Sequence, residues 1–112
     1  MVVRRAVSFK VSGPIDQPTL DGLREQLRLK PEGRISDDWD QIFGERVAHT
    51  DYGQVEIQLA RDDDSHPPIW NVDLLVDDGS RVALSVVEQE ISAAIVACGL
   101  AVTEIFRASV PN

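Results

Sequence analysis

Ser85-Val86-Val87-Glu88-Gln89-Glu90-Ile91-Ser92-Ala93-Ala94-Ile95-Val96-Ala97-Cys98-Gly99 decides how the rest of the chain reads. Ser85 and Glu88 have the spacing of a capping box, in which the serine hydroxyl accepts from the amide three residues on and the glutamate reaches back. From there Val87, Ile91, Ala94, Ile95 and Cys98 recur at a helical period on one face. Gly99 supplies the left-handed residue on which helices commonly end. Asp78-Gly79 is a strong two-residue hairpin signal, and against a long helix starting at Ser80 stands the capping box, which places the start at Ser85. The sequence therefore predicts a hairpin at 78–79, a short strand over 80–84 with Val82 and Leu84 inward, and a helix that begins at Ser85.

Strands are expected on both sides of this helix. Ala101 to Val110 is rich in β-branched and aromatic residues and stops at Pro111. Upstream, Ile69 to Asp77 puts Trp70, Val72, Leu74 and Val76 on one face, and Gln54 to Arg61 does the same with Val55, Ile57 and Leu59. Arg46 to His49 reads as an earlier part of that strand, separated from it by a turn or bulge at Asp51-Tyr52-Gly53. Between residues 36 and 44, Ser36 has the place of a cap, acids fill the first turn and Gly44 follows as a stop, which predicts one or two helical turns. Nearer the start, Leu20, Leu23 and Leu27 form the stripe of a helix capped by Thr19 and ended near Lys30 by Pro31 and Gly33. Val3 to Ser12 alternates as a half-buried strand, with Val3, Val7, Phe9 and Val11 on its apolar face.

Two helices with one apolar stripe each must bury those stripes, and an antiparallel sheet offers one apolar face. The expected fold is a single α+β domain over residues 1–112: a two-layer sandwich with a mostly antiparallel sheet of about five strands and both helices on one face. The order β-α-β-β-β-α-β makes it a ferredoxin-like variant. At 112 residues there is room for one core, and 43% hydrophobic with 27% charged residues is ordinary for a globular chain.

Composition narrows the chemistry. No apolar stretch nears the roughly 20 residues that span a bilayer, and Ser8 and Lys10 break any secretory apolar core after the first arginines. Cys98 is the single cysteine, so no internal disulfide forms, and a reducing cytoplasm is the expected home. The seven glycines are scattered as turn and cap residues and form no phosphate-binding fingerprint. H-E-x-x-H and G-x-S-x-G are absent, so no catalytic residues and no cofactor are assigned. Cys98 lies on the helix's apolar stripe and reads as a packed small hydrophobe rather than a nucleophile. His49 with Asp51 lacks any nucleophile to serve. Asp62, Asp64 and His66 alternate as metal ligands do, but no glycine folds their loop around an ion, so no metal is assigned and a solvated tip is expected.

Charge is the remaining signal. The net charge is −8, and it is uneven: residues 1–34 carry seven basic and four acidic side chains, and residues 35–112 carry four basic and fifteen acidic. Arg24 and Arg28 share one helix side, yet no aromatics are interleaved among the basic residues to stack on bases. They are expected to neutralise the acidic body from within or to pair with Asp21 and Glu25. An acidic body repels nucleic acid and anionic membranes and attracts basic proteins. Aspartates crowd three predicted loops, Asp37, Asp38 and Asp40, then Asp62, Asp63 and Asp64, then Asp77 and Asp78. If these converge, they form a negative patch; the competing reading is that they are solvated loops that keep the chain soluble. The expectation is a non-enzymatic acidic module that masks a basic protein surface, as an immunity protein does for a toxin or nuclease. The alternative is a small ligand-binding or enzymatic domain, a homodimer enclosing a pocket near Trp70, His49, Tyr52 and Asp73.

Overall fold

A computed structural model describes residues 3–13, 15–36, 41–50, 53–62, 68–77 and 84–111. In chain order these form β1 (Val3–Ser12), α1 (Gln17–Gln26), β2 (Lys30–Pro31), β3 (Ile42–Thr50), β4 (Gly53–Asp62), β5 (Ile69–Asp77), α2 (Leu84–Ala97) and β6 (Ala101–Pro111). The strands make one sheet ordered β2-β3-β4-β5-β1-β6, and every neighbouring pair is antiparallel. β1 and β4 both flank β5, so they run parallel, and α1 lies between them in the chain. With β6 on the other side of β1, the strands β4-β5-β1-β6 and the two helices form the ferredoxin-like split β-α-β arrangement. β2 and β3 extend it beyond β4, giving six strands among the described residues rather than about five.

Alternation puts the core on one face. Val7, Phe9 and Val11 of β1, Val55, Ile57 and Leu59 of β4, and Trp70, Val72, Leu74 and Val76 of β5 are buried in one cluster. Leu20, Leu23 and Leu27 from the first helical segment join it, with Val87, Ile91, Ala94 and Ile95 from α2. Both expected stripes are thus buried, and the opposite sheet face has no helix on it among the described residues. At one end of the core Phe43 and Trp70 pack with ring centroids 4.9 Å apart. The Arg61 guanidinium lies over both rings, 4.7 Å from that of Phe43, and donates to the Ile35 carbonyl. Its burial, at 7% exposed, contradicts the alternation rule only in appearance, because the charge faces aromatic rings and a carbonyl.

Four local expectations are corrected. α1 starts at Gln17 because Asp16, not Thr19, is the cap: its carboxylate accepts from the Thr19 amide at 3.0 Å and the Thr19 hydroxyl at 2.7 Å. Pro18 then occupies the first turn, where its missing N–H costs nothing. The helix also ends early. Arg28 adopts φ 54, and the amides of Arg28 and Leu29 reach back to the carbonyls of Glu25 and Arg24, closing a Schellman motif on a residue that is not glycine.

The second correction concerns residues 36–44, where Ile42 to Gly44 open β3 instead of ending a helical turn; residues 37–40 lie outside the described residues. Gly44 is a strand glycine over which Leu29 passes, and a Cβ there would stand 2.9 Å from the Leu29 Cβ. Third, Arg46 to His49 belongs to β3, a strand of its own that pairs with β4 from Ile42 opposite Ala60 to Thr50 opposite Gly53. Fourth, α2 begins at Leu84, so Ser85 is an exposed first-turn residue and not the cap. The hairpin at 78–79 and most of the strand expected at 80–84 fall outside the described residues. Gly99 ends α2 as expected, at φ 77, with its amide and that of Leu100 donating to Val96 and Ile95.

Candidate functional site

The helix-free face of the sheet is built by the residues that alternate with the core. Ladder register lines up Phe106, Ser8, Asp73, Gln58, Glu45 and Lys30 as one row across all six strands. On one side of it run Glu104, Lys10, Asn71, Ala60 and Ile42, and on the other Ala108, Ala6, Leu75, Glu56 and Val47. Strands lie about 4.8 Å apart, so each row spans roughly 20–24 Å. Among the described side chains this face carries the carboxylates of Glu45, Glu56, Asp62, Asp73 and Glu104 against the ammonium groups of Lys10 and Lys30. Interspersed apolar groups, Val47 at 45% exposed and Phe106 at 56%, keep it from being uniformly wet. The Ser8 hydroxyl donates to Asp73 at 2.6 Å, which fixes the central carboxylate of the middle row.

The acidic loops do not all meet. Asp62 is the exposed last residue of β4, opposite Ile69 at the start of β5, and Asp77 is the last residue of β5. Eight residues of extended chain separate Ile69 from Asp77, about 26 Å at 3.3 Å per residue. Gln41, which follows the first aspartate group, accepts from the Arg61 amide at 2.7 Å and so belongs to the Asp62 end. The flanks of the first two groups therefore share one end of the sheet, and the third group begins at the other. Asp37, Asp38, Asp40, Asp63, Asp64 and Asp78 themselves lie outside the described residues.

Within one chain, the described members of the pocket expected near Trp70, His49, Tyr52 and Asp73 do not come together. Trp70 faces the helices and is buried, whereas Asp73 and His49 are on the open face. His49 lies opposite Gln54, four residues along β3 from the row that contains Asp73, and Tyr52 is outside the described residues. Among the described residues no three His, Cys, Asp or Glu side chains gather as metal ligands; Asp64 and His66 fall outside them. Cys98 is half-buried against the core, and burial pushes its thiol above the ordinary range, so the sulfur is held in its unreactive form at neutral pH. A depression of about 510 Å³ beside the β2–β3 edge is lined by Arg28, Lys30, Glu45, Arg46 and Glu56 among others. Its innermost cation is already committed, since Arg46 Nε donates to the Leu27 carbonyl at 3.0 Å.

Of the basic residues of the N-terminal third, Arg24 acts inside the fold, whereas Arg28, Lys30 and Arg34 are exposed. Arg24 Nε donates to the Phe43 carbonyl at 2.8 Å, and its Nη2 donates to the carbonyls of Glu32 and Gly33. Arg24 also approaches Asp21 at 3.7 Å, and Arg28 approaches Glu90 of α2 at 3.8 Å. Sequence reading found only Asp62 among the open face's carboxylates, because they arrive one or two at a time from four different strands, β3, β4, β5 and β6; the signal available was the polar half of each alternation. No helix among the described residues is long and apolar enough to cross a membrane. No family model, curated protein or solved structure matches the chain.

Proposed function

We propose that this protein is a non-enzymatic binding module whose open sheet face masks a basic surface on another protein. The observation that carries the reading is the uncovered face itself, with carboxylates from β3, β4, β5 and β6 outnumbering its two lysines among the described side chains. A broad pleated surface with spaced carboxylates and isolated Val47, Leu75 and Phe106 side chains suits a protein partner better than a small ligand, which needs concavity. Its negative field steers a cationic partner and orients it on docking. A protein that covers the cationic cleft of a nuclease or toxin is the concrete form of this function. The same field opposes nucleic acid and anionic lipid.

Capture from the native cells at low salt supplies the partner, and association rates at two ionic strengths then test the surface. Glu45→Gln/Glu56→Gln/Glu104→Gln is expected to slow association about tenfold at low salt and to flatten its salt dependence. Equal rates for wild type and triple variant, with no response to salt, would remove the open face as the docking site.

A further inference from the structure

We propose that β6 is a homodimerisation edge, along which two copies join antiparallel about a twofold axis at Phe106 and extend the sheet to twelve strands. The two edges of the sheet are built differently. At the β3 edge, the two-residue β2 with Pro31 shields one end, and Lys30, Arg46 and His49 punctuate the rest with polar or charged groups. Such devices discourage strand addition. β6 is less guarded: only Glu104, Arg107 and the register shift at Thr103 interrupt a strand that is eleven residues long, pairs with β1 on one side, and is last in the strand order among the described residues. Its one proline is its last residue.

Apolar groups flank this edge on both faces. Ile105 is 40% exposed on the helix face, and Phe106 is 56% exposed on the open face. Beside Ile105 a groove of about 600 Å³ runs between β6 and α2, where Val96 is 64% exposed above Val102. Adding a strand and its own helix would cover both sides of the edge together, which a ligand on either face alone would not.

Charge selects a second copy as the occupant. Two chains of net charge −8 repel over most of their surfaces, yet residues 91–112 hold one acid, Glu104, and one base, Arg107. This neutral stretch is where identical chains meet with least repulsion, and it gives a strongly basic partner little to grip. Symmetry then limits the register. A twofold axis normal to the sheet keeps helix face beside helix face, so β6 must pair about a single residue. An axis at Arg107 sets two guanidinium groups opposite each other. An axis at Ile105 places Arg107 opposite Thr103, the extra residue where the β1–β6 register shifts. At Phe106 the two rings face each other, Ile105 meets Arg107 of the second copy, and Glu104 meets Ala108, with no like charges opposed. Glu88 already holds Arg107 at 2.8 Å, which fixes its side chain on the helix side.

Sedimentation equilibrium of the full chain at micromolar to submillimolar concentrations reads the state directly. The expected mass at the upper end is twice 12.4 kDa, and Phe106→Lys is expected to weaken association at least tenfold with an unchanged far-UV spectrum. A wild type that is monomeric throughout, or a Phe106→Lys dimer as tight as wild type, overturns the proposal. The register is tested in a Cys98→Ala background, which also guards against a misfolded lysine variant. Phe106→Cys is expected to oxidise to a linked dimer, since directly opposed Cα atoms fall within disulfide reach. Ala108→Cys is expected not to, because its two copies stand about four residues apart along the strands. Linking at Ala108 and not at Phe106 overturns the register. A Glu45→Gln/Glu56→Gln variant, which leaves β6 untouched, should dimerise as wild type does, so failure of the dimer and failure of the binding face are separate results.

Discussion

Arg24→Ala tests what holds α1 to the sheet. The guanidinium donates to Phe43, Glu32 and Gly33 carbonyls while its side chain is 12% exposed, so one residue ties the helix to the start of β3 and to the segment that leads there. The three bonds are unequal. Phe43 is fully buried, and with the guanidinium gone its carbonyl loses a charge-assisted partner in a dry setting, a loss of about 1.5–3 kcal/mol. Glu32 is half-buried and Gly33 exposed, so water replaces much of what they lose, and about 0.5–1 kcal/mol each is the reasonable scale. Asp21, at 3.7 Å and 62% exposed, adds little. The sum is about 2.5–5 kcal/mol, a large part of the roughly 5–15 kcal/mol that a domain has in total.

Urea unfolding followed by circular dichroism measures this loss, with Arg24→Lys and Arg24→Met as companions. Lysine offers a single compact ammonium and cannot span three carbonyls, so it should recover about half. Methionine keeps the apolar stem without the donors and should fall near alanine. Amide exchange should quicken first at the β2–β3 end of the sheet, which the guanidinium anchors, and least at the β1–β5 pair. A cost below about 1 kcal/mol for alanine, or a lysine variant equal to wild type, would show that the three bonds do not hold the helix in place.

Gly44→Ala should destabilise by about 1–3 kcal/mol in the same titration, because the new methyl meets the Leu29 Cβ, which only a backbone shift can move; an unchanged midpoint would show that β2 yields freely. The Thr19 hydroxyl, and then its amide, hold the Asp16 carboxyl below the ordinary aspartate range. Its ionised form therefore supports the fold at neutral pH, and that support fades as pH falls through the lowered value. Asp16→Asn caps without titrating, so the stability gap between the two proteins should narrow on acidification, and parallel pH curves would refute the cap. Cys98 should be alkylated more slowly than free cysteine at the same pH, since burial raises its thiol; a faster reaction would mean an activated sulfur.

The strands with clean alternation were legible to within a residue or two. Val7, Phe9 and Val11, then Val55, Ile57 and Leu59, then Val72, Leu74 and Val76 state the core face outright. β3 was not legible because its pattern is broken where it matters. A register shift between Ile42 and Gly44 disturbs the period, Gly44 has no side chain to count, and Arg46 points to the core side to reach a carbonyl. The ends of α1 failed for a different reason. Asp16 and Thr19 are both good caps three residues apart, and only the observed bonds show that threonine serves the aspartate. Arg28 in a left-handed conformation carries no sequence signal. The candidate site was half legible: the excess of acid is plain, but the eye goes to runs such as Asp62-Asp63-Asp64. Glu45, Glu56, Asp73 and Glu104 become neighbours only through the ladder.

The arginines explain why the acidic face stays acidic. Arg24, Arg46 and Arg61 donate to the carbonyls of Phe43, Leu27 and Ile35, and Arg61 also rests on two aromatic rings. Arg107 is held by Glu88 on the helix side. These cations stand on the core side of the sheet and are bound largely to neutral acceptors, so they offset few of the carboxylates that face the other way. A chain with eleven basic residues thereby gains a surface more one-sided than its net charge suggests. Two classes of substitution should consequently separate cleanly. Removing an inward arginine takes donors from buried carbonyls and costs stability at any ionic strength, because those bonds are shielded from salt. Neutralising Glu45 or Glu104 leaves packing untouched and changes a long-range field, so its effect belongs to association rates and disappears as salt rises.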